Sequence, residues 1–253
     1  LIKRLHSETV LDFQRKIYLS KENSFASYFD LWTNDKIVGQ NTTVKQTFSI
    51  NRDKPSWNVE YEYYFNKNAF LLSNGIDARR IRSHTIKTRL QLSEWITWRN
   101  QFTQSFKINT SEFFKEKNFD FIGNNYITKL IFQTSKSWRF EWGYDYKFQS
   151  NKIYQFSTMN DASLEIKWNQ SEKSLAEARF DFITVGYTEN ERNPQVEFAM
   201  LGGIQRGNNY VWSLTFDRRL SESIQLNIVY QGRKNNLIDG FSHSLSAEIR
   251  ATF

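Results

Sequence analysis

Glu60, Glu62, Lys87, Arg89, Lys129, Arg139, Glu141, Asp145, Lys147, Glu165, Lys167, Glu177, Arg179, Asp181, Glu248 and Arg250 fall at alternate positions of the stretches that hold them. In an extended chain, alternation puts each set on one face. Charges arrayed in this way can select ions if they ring a conducting pore. They can also cross-link a wall through salt bridges, because a charge buried without a partner is costly. Here the signs are interleaved, Arg139 beside Glu141 and Arg179 between Glu177 and Asp181. Interleaving favours a cross-linked wall and a narrow or occluded lumen, with a small-solute channel as the alternative.

Other chemistry finds little support. A hydrolase of the lipid-facing kind needs Ser and His within hydrogen-bonding reach and a polar group orienting the His. The three histidines are His6, His84 and His243. His243 lies between Ser242 and Ser244, but adjacent strand residues point to opposite faces, so neither serine can be its partner. His84 and His243 read instead as interfacial side chains on the outward face. Asp77, Glu116, Asp120, Asp161, Glu189, Glu191 and Asp239 lie in or near loops with no His at a recognisable spacing. Hard cations need convergent oxygens, which spacing alone does not supply. The expectation is no enzyme, no catalytic, cofactor-binding or metal site, and no cofactor.

The charges require strands to hold them. Residues 137 to 149 alternate Trp138, Phe140, Trp142, Tyr144, Tyr146 and Phe148 with Arg139, Glu141, Gly143, Asp145, Lys147 and Gln149. A soluble sheet has no use for six aromatics in one row, whereas lipid tolerates them and membrane interfaces favour them. Outward rows also include Trp57 to Phe65, His84 to Leu92, and Tyr210, Trp212, Leu214 and Phe216. The last thirteen residues set Phe241, His243, Leu245, Ala247, Ile249, Ala251 and Phe253 against a polar row containing Glu248 and Arg250. Trp57, Trp138, Phe140, Trp142, Tyr144, Trp212 and Phe253 are the expected lipid-facing girdle.

Eleven such rows are visible from residue 42 onwards. Short connections at 52–56, 93–95, 134–137, 169–174 and 219–223 alternate with longer ones at 66–80, 109–125, 149–155, 188–209 and 232–240, as periplasmic turns alternate with outer loops in outer-membrane barrels. Keeping that order requires 194–206 to be a loop or an above-membrane hairpin, despite Val196, Phe198 and Met200. Parity calls for one more strand near the start, best placed at Thr9 to Leu19. The expected fold is an all-β, transmembrane, antiparallel barrel of about twelve strands. Residues 1–36 supply its first strand or a linker from an upstream region, and 37–253 the barrel.

Composition is compatible. The mean hydropathy is −0.65, and no run approaches the roughly 18 apolar residues of a membrane-spanning helix. Alternation halves the apolar content of a barrel strand, so low hydropathy does not oppose a barrel. A net charge of +7 raises nucleic acid as a partner, but mixed-sign rows do not make the single-signed stripe such a partner needs. Without cysteine there is neither a disulfide framework nor a thiolate site. A start at Leu1, with no Met or leader, fits a mature fragment or the C-terminal part of something longer.

Several stretches also resemble a family. Val196-Glu-Phe-Ala-Met-Leu-Gly-Gly-Ile-Gln-Arg-Gly-Asn-Asn-Tyr-Val-Trp212, Arg219-Leu-Ser-Glu-Ser223, Tyr230-Gln-Gly-Arg-Lys234 and the terminal Arg250-Ala-Thr-Phe253 resemble the C-terminal ends of large outer-membrane proteins of the Bacteroidota. Leu71-Leu-Ser-Asn-Gly-Ile-Asp-Ala-Arg79 looks like another of their recurring segments. The chain departs from that pattern at Arg206, where a proline is expected, and at Ser242-His243. The resemblance implies the C-terminal barrel of a longer envelope protein in the outer membrane of a Gram-negative bacterium, and no activity. The expected role is a structural anchor or a subunit of an envelope complex. Outer-membrane lipid, other envelope proteins or an upstream domain would be its partners, and nucleic acid would not. An autotransporter-like translocator is a further alternative.

Overall fold

A computed structural model describes residues 5–17, 37–54, 56–73, 75–152, 155–170, 173–188, 193–237 and 239–251. They form twelve strands in one antiparallel sheet: β1 (Leu5–Ile17), β2 (Ile37–Ile50), β3 (Trp57–Leu72), β4 (Gly75–Ser93), β5 (Ile96–Ser111), β6 (Phe119–Gln133), β7 (Trp138–Asn151), β8 (Gln155–Gln170), β9 (Ser174–Thr188), β10 (Gly207–Arg219), β11 (Ile224–Asn235) and β12 (Ser242–Ala251). Each strand pairs with its sequence neighbour, in the order β1 to β12. This is the fold of an outer-membrane β-barrel wall. Most strands exceed the roughly 9–11 residues that cross hydrocarbon, so they project beyond it.

Register keeps the two faces apart across the whole sheet. Trp138 faces Trp168 and Trp142 faces Leu164, while Arg139 faces Lys167 and Glu141 faces Glu165. On the aromatic face Trp138 stacks on Phe140 with ring centroids 6.0 Å apart. Trp212 meets Phe241 edge-on at 6.3 Å. A one-residue slip anywhere would exchange the faces, so the alternation itself fixes the register.

Three loop expectations need correction. The connection at 149–155 is short, since β7 runs to Asn151 and β8 starts at Gln155. The connection from Asn66 to Arg80 is not a long loop: β3 runs to Leu72 and β4 starts at Gly75. The ladder continues through Asn66↔Ile81 and Phe70↔Asp77. Asn66, Lys67 and Asn68 are polar enough to suggest a loop, yet above the membrane a strand needs no apolar face. Gly75 permits the tight return, because its φ of 108° is closed to most side chains. The segment 194–206 is neither open loop nor hairpin. It contains a helix, α1 (Pro194–Leu201), folded onto the charged face.

The first strand lies at Leu5–Ile17, a few residues earlier than Thr9 to Leu19. It pairs with β2, Leu11 opposite Val44 and Phe13 opposite Thr42. Leu19 and Phe253 lie outside the described residues. Among the described residues β1 pairs only with β2, and β12 only with β11. All ten residues of β12 are exposed.

Candidate functional site: the charged inner face

The polar face carries a chain of ion pairs built by register. Lys87 of β4 lies opposite Glu60 of β3, and its Nζ reaches Glu60 at 3.0 Å and Glu62 at 3.1 Å. Lys45 of β2 adds a contact to Glu62 at 3.3 Å, a partner the charge rows did not single out. On β7, Glu141 accepts from Lys129 Nζ at 2.6 Å and from Arg139 Nη2 at 2.8 Å. Lys167 joins Glu165 and Glu177, both at 2.9 Å. Arg179 lies 2.7 Å from Asp181 and 3.6 Å from Glu165. The pairs that cross strand boundaries fall in three clusters, over β2 to β4, over β6 and β7, and over β8 and β9.

The remaining charges behave differently. Arg89 donates to the backbone oxygen of Lys54 at 2.6 Å, clamping the β2–β3 turn. Lys147 donates to the backbone oxygen of Met200 at 3.4 Å, holding the end of α1. Asp145 and Asp161 lie directly opposite each other on β7 and β8. Glu248 and Arg250 touch at 3.3 Å with side chains 60% and 71% exposed, whereas the Glu141 side chain is 10% exposed. The same inner face is thus closed in at β7 and open at β12.

Helix α1 covers one end of this face. Asn193 caps it by accepting from the Val196 amide at 3.2 Å, Pro194 occupies its first turn, and Gly202 ends it with φ 66°. Those are standard start and stop signals. The alternating Val196, Phe198 and Met200 hid them by reading as a strand. Val196 and Met200 are buried against Phe121, with Phe119 and Tyr187 beside them. Leu201 packs on Ile183 and Val185. Arg206 pairs with Glu197 and lies 4.5 Å over the Tyr187 ring. The aromatic stretch 113–122 divides: Phe119 and Phe121 stack beneath α1 with centroids 4.1 Å apart, while Phe113 is exposed.

On the opposite face Trp57, Trp138 and Trp142 are exposed. The Tyr144 hydroxyl donates to Asn160 at 2.7 Å. His84 Nδ1 is 2.8 Å from the Tyr61 hydroxyl, and its ring lies 5.2 Å from that of Tyr63. His243 lies 3.3 Å from the Tyr230 hydroxyl. Both histidines therefore sit among aromatic side chains rather than beside a serine. Among the described residues no cluster of three or more His, Asp or Glu is placed to hold a metal ion. The inner face can do two things chemically: bind its strands together through charge, and present a polar wall to water or solute.

No family model matches the sequence, and no curated protein matches it. Solved structures do. The siderophore receptor PirA from Acinetobacter baumannii superposes on 98% of this chain with a TM-score of 0.64 and 11% identity. The chain spans 41% of that receptor's length. The translocator domain of the autotransporter NalP from Neisseria meningitidis gives a TM-score of 0.38 at 12% identity, over 85% of this chain and 82% of that one. The β domain of the Bordetella autotransporter BrkA gives 0.41 at 8% identity, over 99% of both. At those two scores the likeness says nothing about arrangement.

Proposed function

We propose that these twelve strands are a section of the wall of a larger outer-membrane β-barrel in a Gram-negative bacterium, completed by further strands of the same polypeptide, and that the barrel is a structural anchor for an envelope assembly. The carrying observation is the sheet itself: one face aromatic and apolar, the other charged and cross-linked, with one edge of β1 and one edge of β12 lacking a partner among the described residues. In hydrocarbon every unpaired backbone group costs several kcal/mol, so only closed barrels or helices persist there. β1 and β12 each need a partner strand. The receptor likeness supports completion within one chain, since this segment matches less than half of that single chain.

Both sheet ends point the same way. Leu5 lies opposite Ile50, beside the short β2–β3 turn, and Ala251 lies opposite Ile224, beside the short β10–β11 turn. An antiparallel closure therefore needs an even number of added strands. The ion-pair clusters stiffen the wall, and α1 narrows the lumen at the end away from the short turns. Solute transport is the second reading, favoured by the fold shared with a siderophore receptor.

Placement in the membrane is tested by accessibility. A membrane-impermeant maleimide applied to intact cells should label Phe113→Cys, in the β5–β6 loop. It should reach Asp53→Cys, in the β2–β3 turn, only after the outer membrane is breached. Equal labelling of both sites, or recovery of the protein in the soluble fraction, would contradict the reading.

A further inference from the structure

Lys67, Arg80 and Arg82 do not belong to the inner wall. Lys67 shares the face of Trp57, Tyr61 and Phe65, and Arg80 and Arg82 share that of His84 and Ile86. All three therefore project from the aromatic side. Arg80 lies directly opposite Lys67, and Arg82 lies opposite Phe65 on one flank and Phe106 on the other. The Arg82 guanidinium sits 4.6 Å over the Phe106 ring. No Asp or Glu occupies an outward position on β2 to β5. Just past the end of β5, the Glu112 carboxylate accepts from the Ile76 amide at 3.0 Å. Among the described residues none of the three cations forms an ion pair.

Like charges directly opposite one another destabilise a sheet. An anion held between its members would turn that repulsion into attraction. The depth of the cluster says which anion. Trp57, at the short-turn end, and Lys67 bound a stretch of eleven residues, as do Leu90 and Arg80 on the adjacent strand. Roughly 9–11 residues of tilted strand cross the hydrocarbon. The cluster thus stands one membrane thickness from the turn-side aromatics, level with the head groups of the outer leaflet. Closer to the short turns on the same face lie Tyr61, Ile86 and Phe102, where acyl chains would run.

We infer that Lys67, Arg80 and Arg82 form a binding site for the phosphate of an anionic outer-leaflet lipid. The site rests on the membrane placement proposed above. Lys67 and Arg80 would share the phosphate between their heads, while Arg82, fixed by its aromatic stack, would donate from one side. Arginine suits this task because its planar fork matches phosphate oxygens in pairs.

The test uses the full-length protein in nanodiscs doped with lipid A, and in zwitterionic detergent. Each basic residue near an anionic surface contributes about fivefold in affinity. The variant K67Q/R80Q/R82Q should therefore retain at least tenfold less lipid A by native mass spectrometry, and Lys136→Gln, in a short turn, should retain the wild-type amount. Arg80→Gln supplies a readout independent of retention. It should melt higher than wild type in detergent, where only repulsion is removed, and lower in lipid A nanodiscs, where a ligand is lost. Inorganic phosphate at millimolar concentration should not reproduce the lipid's stabilisation. Equal lipid retention by the triple variant in a correctly inserted protein would overturn the site alone. Full stabilisation by inorganic phosphate would overturn its assignment to lipid. A wild-type protein that fails to insert at all would overturn the membrane placement together with the site.

Discussion

Met200→Asp should detach α1 from the inner face while leaving the twelve strands intact. Met200 is 1% exposed and packs with Val196 on Phe121. A carboxylate there would lose its hydration and find the apolar Phe121 and Val196 as neighbours, and burial of that kind costs several kcal/mol. The helix has a cheaper way out. It is eight residues long, too short to be stable by itself, so it can leave the wall and unfold at little further cost. Cleavage by chymotrypsin near Phe198 should accelerate at least tenfold, and β-sheet circular dichroism should not change. Met200→Leu, which nearly conserves volume, should stay docked. Planar-bilayer recordings of the same variants bear on transport. A rise in conductance with Met200→Asp identifies α1 as a cover over a conducting lumen, and no rise supports the closed anchor. Protection from protease equal to wild type would show that α1 is not held by the contacts described.

Glu141→Ala should be the most damaging single change in the wall. Its carboxylate joins Lys129 of β6 to Arg139 of its own strand, and it is the most buried member of its cluster. Removing it leaves Lys129 and Arg139, on neighbouring strands, without the carboxylate they share. Breaking a fully buried pair costs roughly 3–5 kcal/mol, but Lys129 and Arg139 are more than a third exposed. Screening by water reduces the expected loss to about 2 kcal/mol. Urea unfolding of the full-length protein in lipid vesicles, followed by tryptophan fluorescence, measures it. Glu141→Gln keeps the volume and one acceptor and should lose less. The same exchange at Glu248 should lose less, because among the described residues its carboxylate meets only Arg250 of its own strand. A loss at Glu248 equal to that at Glu141 would contradict the contrast between the closed and open parts of the inner face.

The strands were legible because their signal is physical and repeated. Six aromatics alternating with Arg139, Glu141, Asp145 and Lys147 admit one extended reading, and neighbouring rows repeat it. The pairs on the inner face follow from parity and register: alternation put Lys87, Glu60 and Glu62 on one face, and the β3–β4 register sets Lys87 opposite Glu60. Three features were less legible. The extension of β3 and β4 lacks a clean alternation, with Asn66-Lys67-Asn68 polar and Ala69 to Leu72 apolar in succession, so Asn66 to Arg80 resembled a loop. In α1, helical spacing over eight residues is nearly indistinguishable from alternation, and the cap at Asn193-Pro194 and the stop at Gly202 were the distinct signals. The sheet edges of β1 and β12 that lack a partner among the described residues left none at all. Leu245 and Ile249 alternate with Ser246 and Glu248 as any spanning strand would, whether or not a neighbour lies alongside.

That last point decides what kind of barrel this is, and cysteine cross-linking in native outer membranes measures it. The 253 residues contain no cysteine, so introduced pairs report cleanly within them. In the full-length polypeptide, Val229→Cys with Ser246→Cys joins register partners of β11 and β12 and should form a disulfide readily. Glu8→Cys or Asp12→Cys on β1, combined with Ser244→Cys or Ser246→Cys on β12, should form none, within a chain or between chains. A photo-crosslinking residue at Leu245 should instead attach to a strand of the same polypeptide lying before β1. A β1–β12 disulfide within one chain would show that twelve strands close by themselves. The same disulfide between two chains would show that a second copy completes the barrel. Either result would contradict a wall section completed by its own polypeptide.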